Sequence, residues 1–287
     1  MVLLRLLSLL PLPVLYVLCG GLAWLARVAG WRKTLVMDGL ALCQPGRDPA
    51  ELRNQAREFY AGLGRIVAEF LYGARMTTTE FEERVRFEND DVVREALAGG
   101  RRVLMVAGHQ CNWEWLHLEI SRRFGEQVVA PYKPLSRDGP DRWLLGTRKR
   151  FGAIMVPAKE LGPYLVSRRR QVRLIAMLAD QSPSAKSEKQ VWLPFFGRDT
   201  SFFQGPGWIG EKLRFEPVFA DMSPMDRGRY VVRFRPLAAP EARLDAEQVL
   251  TAYVRALEQQ IRQHPAHYFW AYNRWKRAKP PDAPASN

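Results

Sequence analysis

Residues 6–26 carry no charged side chain, and this run limits what the chain can become more than any other feature. A helix needs about 20 apolar residues to cross roughly 30 Å of hydrocarbon. Arg5 precedes the run, and Arg27, Arg32 and Lys33 follow it. Tyr16, Trp24 and Trp31 fall where interfacial aromatics sit. Pro11 and Pro13 kink the first turns or delay the helix start. Three readings fit: a cleaved signal peptide with Ala23 and Ala26 near its end, a core helix, or a single span or deep interfacial anchor over residues 1–33. The length of the run and the basic cluster behind it favour the anchor and put the rest of the chain on the cytoplasmic side. A mean hydropathy of -0.26 excludes a protein of many spans.

The remainder is basic: 43 Lys+Arg against 30 Asp+Glu give a net charge of +13. Such a surface suits an anionic partner, whether acidic protein, anionic lipid or nucleic acid. Cys19, Cys43 and Cys111 are too few and too scattered for a disulfide framework or a zinc ribbon, and suit a reducing compartment.

Residues 49–73 have the apolar spacing of a helix, with Phe59, Leu63, Ile66, Val67, Phe70 and Leu71 on one stripe. Thr79 and Glu82 have the spacing of a capping box. From residue 101 short runs rich in Val, Ile and Phe alternate with helical stretches. Strands are expected at 102–107, 127–131, 153–157, 172–178, 216–222 and 230–236. Helices are expected at 112–124, 140–151, 159–169, 207–213 and 245–264. This alternation predicts an α/β fold with a mixed, largely parallel central sheet flanked by helices, one domain over 34–278, and a disordered Pro/Ala-rich tail over 279–287. Ligands of such sheets bind outside the carboxyl ends of the strands.

Past the end of the first strong strand lie His109 and, four intervening residues on, Glu114. A tight turn would bring the carboxylate onto one imidazole nitrogen and leave the other facing the crevice as a general base. Backbone N–H groups near 110–112 would then meet an oxyanion. A histidine that merely caps the strand fits the same spacing. Metal binding by His109, Glu114 and His117 is disfavoured because the spacing is not that of a zinc protease, and no metal site is expected. Cys111 as a nucleophile would have only His109 to activate it. After later strands come Tyr132-Lys133-Pro134, Arg148-Lys149-Arg150, Asp180-Gln181 and Phe195-Phe196-Gly197. Arg148 and Arg150 could bind phosphate or form a solvated basic face. Asp180 could order an arginine or a ligand hydroxyl, or shape a turn. Phe195 and Phe196 could line an acyl slot or fill the core. The cluster Tyr268, Phe269, Trp270, Tyr272 and Trp275 with Arg274 could pack a sheet edge or sit among lipid headgroups.

Taken in order, these motifs resemble the late acyltransferases of lipid A biosynthesis, the lauroyl and myristoyl transferases, within the lysophospholipid acyltransferase superfamily. The series runs from the N-terminal anchor through His109-x4-Glu114, Tyr132-x-Pro134, Arg148-x-Arg150-Phe151-Gly152, Asp180-Gln181, Pro194-Phe195-Phe196-Gly197 and Gly205-Pro206 to Trp270-x3-Arg274-Trp275-Lys276. The resemblance implies an enzyme of the inner membrane, facing the cytoplasm, with residues 34–278 as its acyltransferase catalytic domain. It would move a fatty acyl chain from acyl carrier protein to a hydroxyl of a lipid A precursor or similar anionic glycolipid. It would use no cofactor beyond that acyl-donor co-substrate, and no nucleic acid. It also implies His109 and Glu114 as the catalytic pair and Arg148 or Arg150 on phosphate. Lys133 stands where the family often has arginine, which keeps the charge and loses the bidentate fork.

Overall fold

A computed structural model describes residues 2–136, 138–183 and 189–281 of the chain. The N-terminal segment is broken into α1 (Val2–Ser8), α2 (Leu12–Val28) and α3 (Lys33–Cys43). Pro11 is the N-cap of α2, so the prolines end one helix and start the next rather than kink a continuous one. No single helix among the described residues is long and apolar enough to cross a membrane; α2 and α3 together have the length and composition but meet at 90°. Next come α4 (Pro49–Gly73), α5 (Thr78–Arg84), β1 (Val85–Phe87), α6 (Asp91–Ala98), β2 (Val103–Ala107), α7 (Trp113–Phe124), β3 (Val128–Tyr132) and α8 (Asp138–Lys149). The chain continues through β4 (Ile154–Pro157), α9 (Leu161–Ser167), β5 (Leu174–Leu178), β6 (Gln190–Phe195), β7 (Arg198–Phe203), α10 (Gly205–Leu213), β8 (Glu216–Pro224), β9 (Tyr230–Pro236) and α11 (Ala246–Gln263). The capping box of α5 is Thr77 with Glu80, two residues before the Thr79–Glu82 pair, and Phe81 just after it is fully buried. Residues 282–287 of the expected tail lie outside the described residues.

Seven of the described strands form one sheet in the order β1-β9-β8-β2-β5-β3-β4. Only β8 and β9 run antiparallel; the other neighbours are parallel. β6 and β7 form a separate hairpin. Its two-residue loop, Phe196-Gly197, has positive φ at both positions, the geometry that matches hairpin twist. The strands expected from the sequence do not include this hairpin, whose turn lacks the usual Asn-Gly or Asp-Gly signal.

Alternate residues of each central strand point into two cores. One holds Val103, Met105 and Ala107 of β2 with Val128, Ala130, Leu174 and Ala176. The other holds Leu104, Val106, Val129 and Ile175 with Phe219 and the apolar faces of α3, α10 and α11. The first core also takes Leu12, Leu15, Tyr16 and Cys19 of α2 together with Phe81 and Trp115. α2 lies so close to α4 that a Cβ on Gly64 would stand 2.8 Å from the Cys19 carbonyl. Its far side, Val14, Val17, Leu18, Leu22, Leu25 and Val28, is exposed. Among the described residues, eleven of the sixteen large apolar side chains left exposed fall between Leu3 and Trp31. That concentrates the exposed apolar surface of an otherwise charged protein on its N-terminal helices, the kind of patch that marks an interaction site.

Candidate active site

The register of two adjacent parallel strands builds the centre of the site. Ala107 of β2 pairs with Leu178 of β5, so residues two positions beyond each strand end stand opposite one another. These are His109 and Asp180. The imidazole Nδ1 lies 2.6 Å from Asp180 Oδ1, and the His109 backbone N–H donates to Asp180 Oδ2 at 3.0 Å. Asp180 is 2% exposed. Burial alone would raise its carboxyl, but His109, through its charge and both hydrogen bonds, and the Arg274 charge outweigh that and hold it below the usual value. An ionised Asp180 fixes the proton on Nδ1 and leaves Nε2 as an acceptor. The Gln181 side-chain nitrogen stands 3.3 Å from that Nε2.

Glu114 is not the partner of the ring. Asn112 caps α7 by accepting the Trp115 N–H at 2.9 Å, and the helix then carries Glu114 toward the end of α8. There Arg148 grips it with two bonds, Nε to Oε2 at 2.9 Å and Nη2 to Oε1 at 2.5 Å. The tight His109–Glu114 closure expected from spacing is thus replaced by two separate pairs. The expected oxyanion donors are also partly occupied: Gln110 N–H donates to Gly108 O at 2.8 Å and Cys111 N–H to His267 O at 2.9 Å. Cys111 is fully buried, and burial pushes its thiol up, which disfavours the thiolate a nucleophile needs.

Both pairs open on one cleft of about 410 Å³. His109, Glu114, Lys133, Arg148 and Gln181 line it, with Trp113 and His117. His117 Nε2 donates to the Arg148 carbonyl at 3.0 Å, and burial lowers its basicity, so it is a neutral wall. The deep part is apolar. Ala130 of β3, Ala176 of β5 and Ala220 of β8 form its floor, and Leu116, Ile120, Met155 and Leu161 its sides. Small residues on three of the sheet's strands leave room that Val or Leu would fill. Sequence reading missed this limb, although alanines inside otherwise bulky strands were its visible signal.

Other expected site residues lie elsewhere. Arg150 donates to the Gly73 carbonyl at 2.7 Å and stacks on Phe151 at 4.7 Å, outside the cleft lining. Phe195 at the end of β6 and Phe196 in the hairpin turn are buried in the second core, and Gly197 beside them in the turn is exposed. The aromatic end of the chain packs inside the protein: Phe269 N–H donates to the His109 carbonyl at 2.9 Å and its ring sits 5.6 Å from that of Trp113. Arg274, 3% exposed, donates to Ser182 Oγ at 2.7 Å and pins the loop that carries Asp180.

Comparison with curated proteins finds no match to the chain. The family model for bacterial lipid A biosynthesis acyltransferases matches residues 1–277, which span every element that shapes the cleft, and the chain belongs to that family of acyltransferases.

Proposed function

We propose that the chain transfers a fatty acyl group from acyl carrier protein to a hydroxyl of a phosphorylated glucosamine lipid. One observation carries this reading: an imidazole held at Nδ1 by a buried carboxylate 2.6 Å away, with Nε2 turned into a cleft that has an apolar limb. His109 Nε2 takes the proton of the acceptor hydroxyl as the oxygen attacks the thioester carbonyl. Asp180 keeps the proton on Nδ1 and offsets the charge that develops on the ring. Collapse of the tetrahedral adduct breaks the carbon–sulfur bond, and the imidazolium returns its proton to the thiolate. These groups complete the transfer without a cofactor.

Glu114 occupies Nε and Nη2 of Arg148 and leaves Nη1 to meet a phosphate, with Lys133 beside it as a second charge. The acyl chain fits the alanine-floored limb. The bare apolar side of α1 and α2, flanked by Arg5, Arg27, Arg32 and Lys33, fits the boundary of an anionic bilayer, with the catalytic body on the cytoplasmic side. The net charge of +13 also suits an acidic carrier.

The test is acyl transfer in detergent, with acyl carrier protein loaded with a mixture of chain lengths and a glycosylated lipid A precursor as acceptor, read by mass spectrometry. Gain of one acyl mass with wild type and none with His109→Ala is expected. Transfer by His109→Ala near the wild-type rate overturns the assignment of the base. No transfer by folded wild type, with donor intact, moves the acceptor to another lipid.

A further inference from the structure

Glu69 sits on α4, has no exposed surface and lies outside the cleft lining. Its carboxylate nevertheless accepts hydrogen bonds from three distant parts of the chain. The Tyr16 hydroxyl of α2 donates to Oε1 at 2.8 Å. Asn112 Nδ2 and the Tyr230 hydroxyl both donate to Oε2 at 2.7 Å. The Glu69 backbone carbonyl also receives the Trp115 indole N–H at 2.8 Å. Asn112 lies between His109 and Glu114, and its own side-chain oxygen caps α7.

Packing alone does not call for a carboxylate there. Methionine or leucine would fill similar space without the several kcal/mol of desolvation that a buried charge costs. What those apolar side chains cannot supply is a fixed three-way join. Two further contacts hold Tyr16 at that join. Arg227 stacks on its ring at 4.3 Å. Gly228 has φ +70, and a Cβ there would lie 2.3 Å from the Tyr16 hydroxyl, so the loop is shaped around that oxygen. Tyr16 lies on the inner face of α2, whose outer face is the bare apolar surface. One helix therefore carries both the surface suited to lipid and a short polar path to the turn that holds the base. The path runs from Tyr16 to Glu69 to Asn112, and Trp113 then meets the His109 ring edge-on at 5.0 Å.

We propose that Glu69 is a positioning residue that ties α2 to the catalytic turn, so that seating α2 against a lipid surface sets His109 for acyl transfer; this rests on the acyl-transfer reading above. Four variants test it, each assayed on acceptor in anionic phospholipid vesicles well below its melting temperature. Tyr16→Phe removes one hydroxyl. Asn112→Ser keeps a capping oxygen but not the donation to Glu69. Each should lower kcat about three- to tenfold, with the donor KM within about twofold. Glu69→Met should cost more than either. Glu69→Gln, whose amide still receives Asn112 and can donate to Tyr16, should recover to within about threefold of wild type. The second readout does not depend on turnover. In histidine-labelled protein the His109 ring resonances, assigned by their loss in His109→Gln, should shift in Tyr16→Phe. A wild-type kcat in Tyr16→Phe, or His109 resonances that do not move, overturns the tie. If wild type transfers no acyl group, the functional reading fails by itself, and the resonances still decide whether α2 and the turn are joined.

Discussion

The two faces of the central sheet are made by the same strands and filled in opposite ways. On one face Leu104, Val106, Val129, Ile175 and Phe219 interlock with α3, α10 and α11. On the other, Ala130, Ala176 and Ala220 stop short and leave the apolar limb of the cleft. In β5 the contrast lies between neighbours: Ile175 on the closed face, Ala176 on the open one. A strand that alternates sides can thus write a core and a substrate slot in the same five residues. Stability should respond to one set of positions, and acyl selection to the other.

The largest effect should come at the mouth of the open face. Asp180→Asn preserves shape but loses the charge that fixes the imidazole tautomer, and transfer should fall about 10²- to 10⁴-fold. Steady-state rates against wild type check this; a loss below about threefold would return the carboxylate role to another group. The same variant reads the pH dependence of folding. Because the folded Asp180 carboxyl is held below its usual value, its stabilisation is complete above the unfolded pKa of about 4 and disappears as pH falls through the lowered folded value. The gap in denaturation midpoint between wild type and Asp180→Asn should therefore be widest near neutrality and close in acid.

On the closed face, Ile175→Ala should cost about 2–5 kcal/mol of stability, read from denaturant midpoints, and leave the preferred chain length where it was. Ala176→Leu, one residue away, should do the reverse. It should change stability less and shift the acyl chains accepted from a mixed pool toward shorter ones by several carbons, read by mass spectrometry. An unchanged chain profile in Ala176→Leu would place the acyl group outside the alanine-floored limb. The smallest effect should come from Phe196→Leu, which alters a ring buried in the hairpin turn and outside the cleft lining; chain selection should not move, in contrast to the acyl-slot reading of the motif.

Much of this was legible in the residues. Helix α4 and strand β9 begin and end where apolar spacing placed them, and the alternation of strands and helices gave the layered sheet. The chemistry was legible as a set of residues but not as a wiring diagram. His109, Glu114, Arg148, Asp180 and Gln181 do line or adjoin one cleft. Their pairing depends on strand register and helix direction, which no local spacing contains. His109 and Asp180 are 71 residues apart and meet only because β2 and β5 are neighbours. Glu114 looked like the ring's partner because only sequence proximity was visible; the cap at Asn112 turns it away. The broken N-terminal helix was foreshadowed by Pro11, yet its burial on one side against α4 required the tertiary partner to be known.

That pairing by register has a consequence for how this protein can vary. The segment between the two strands can lengthen or shorten at modest cost, since each doubling of a flexible loop adds only about 0.6 kcal/mol of closure entropy. Within β2 or β5 the tolerance vanishes. Deleting one residue from either strand moves every later side chain to the opposite face, and the histidine and aspartate would then point away from each other through the sheet. Natural relatives and designed chimeras should therefore differ freely in the helices between these strands while keeping the two strand lengths locked together, because the reactive pair is measured out in strand residues rather than in chain length.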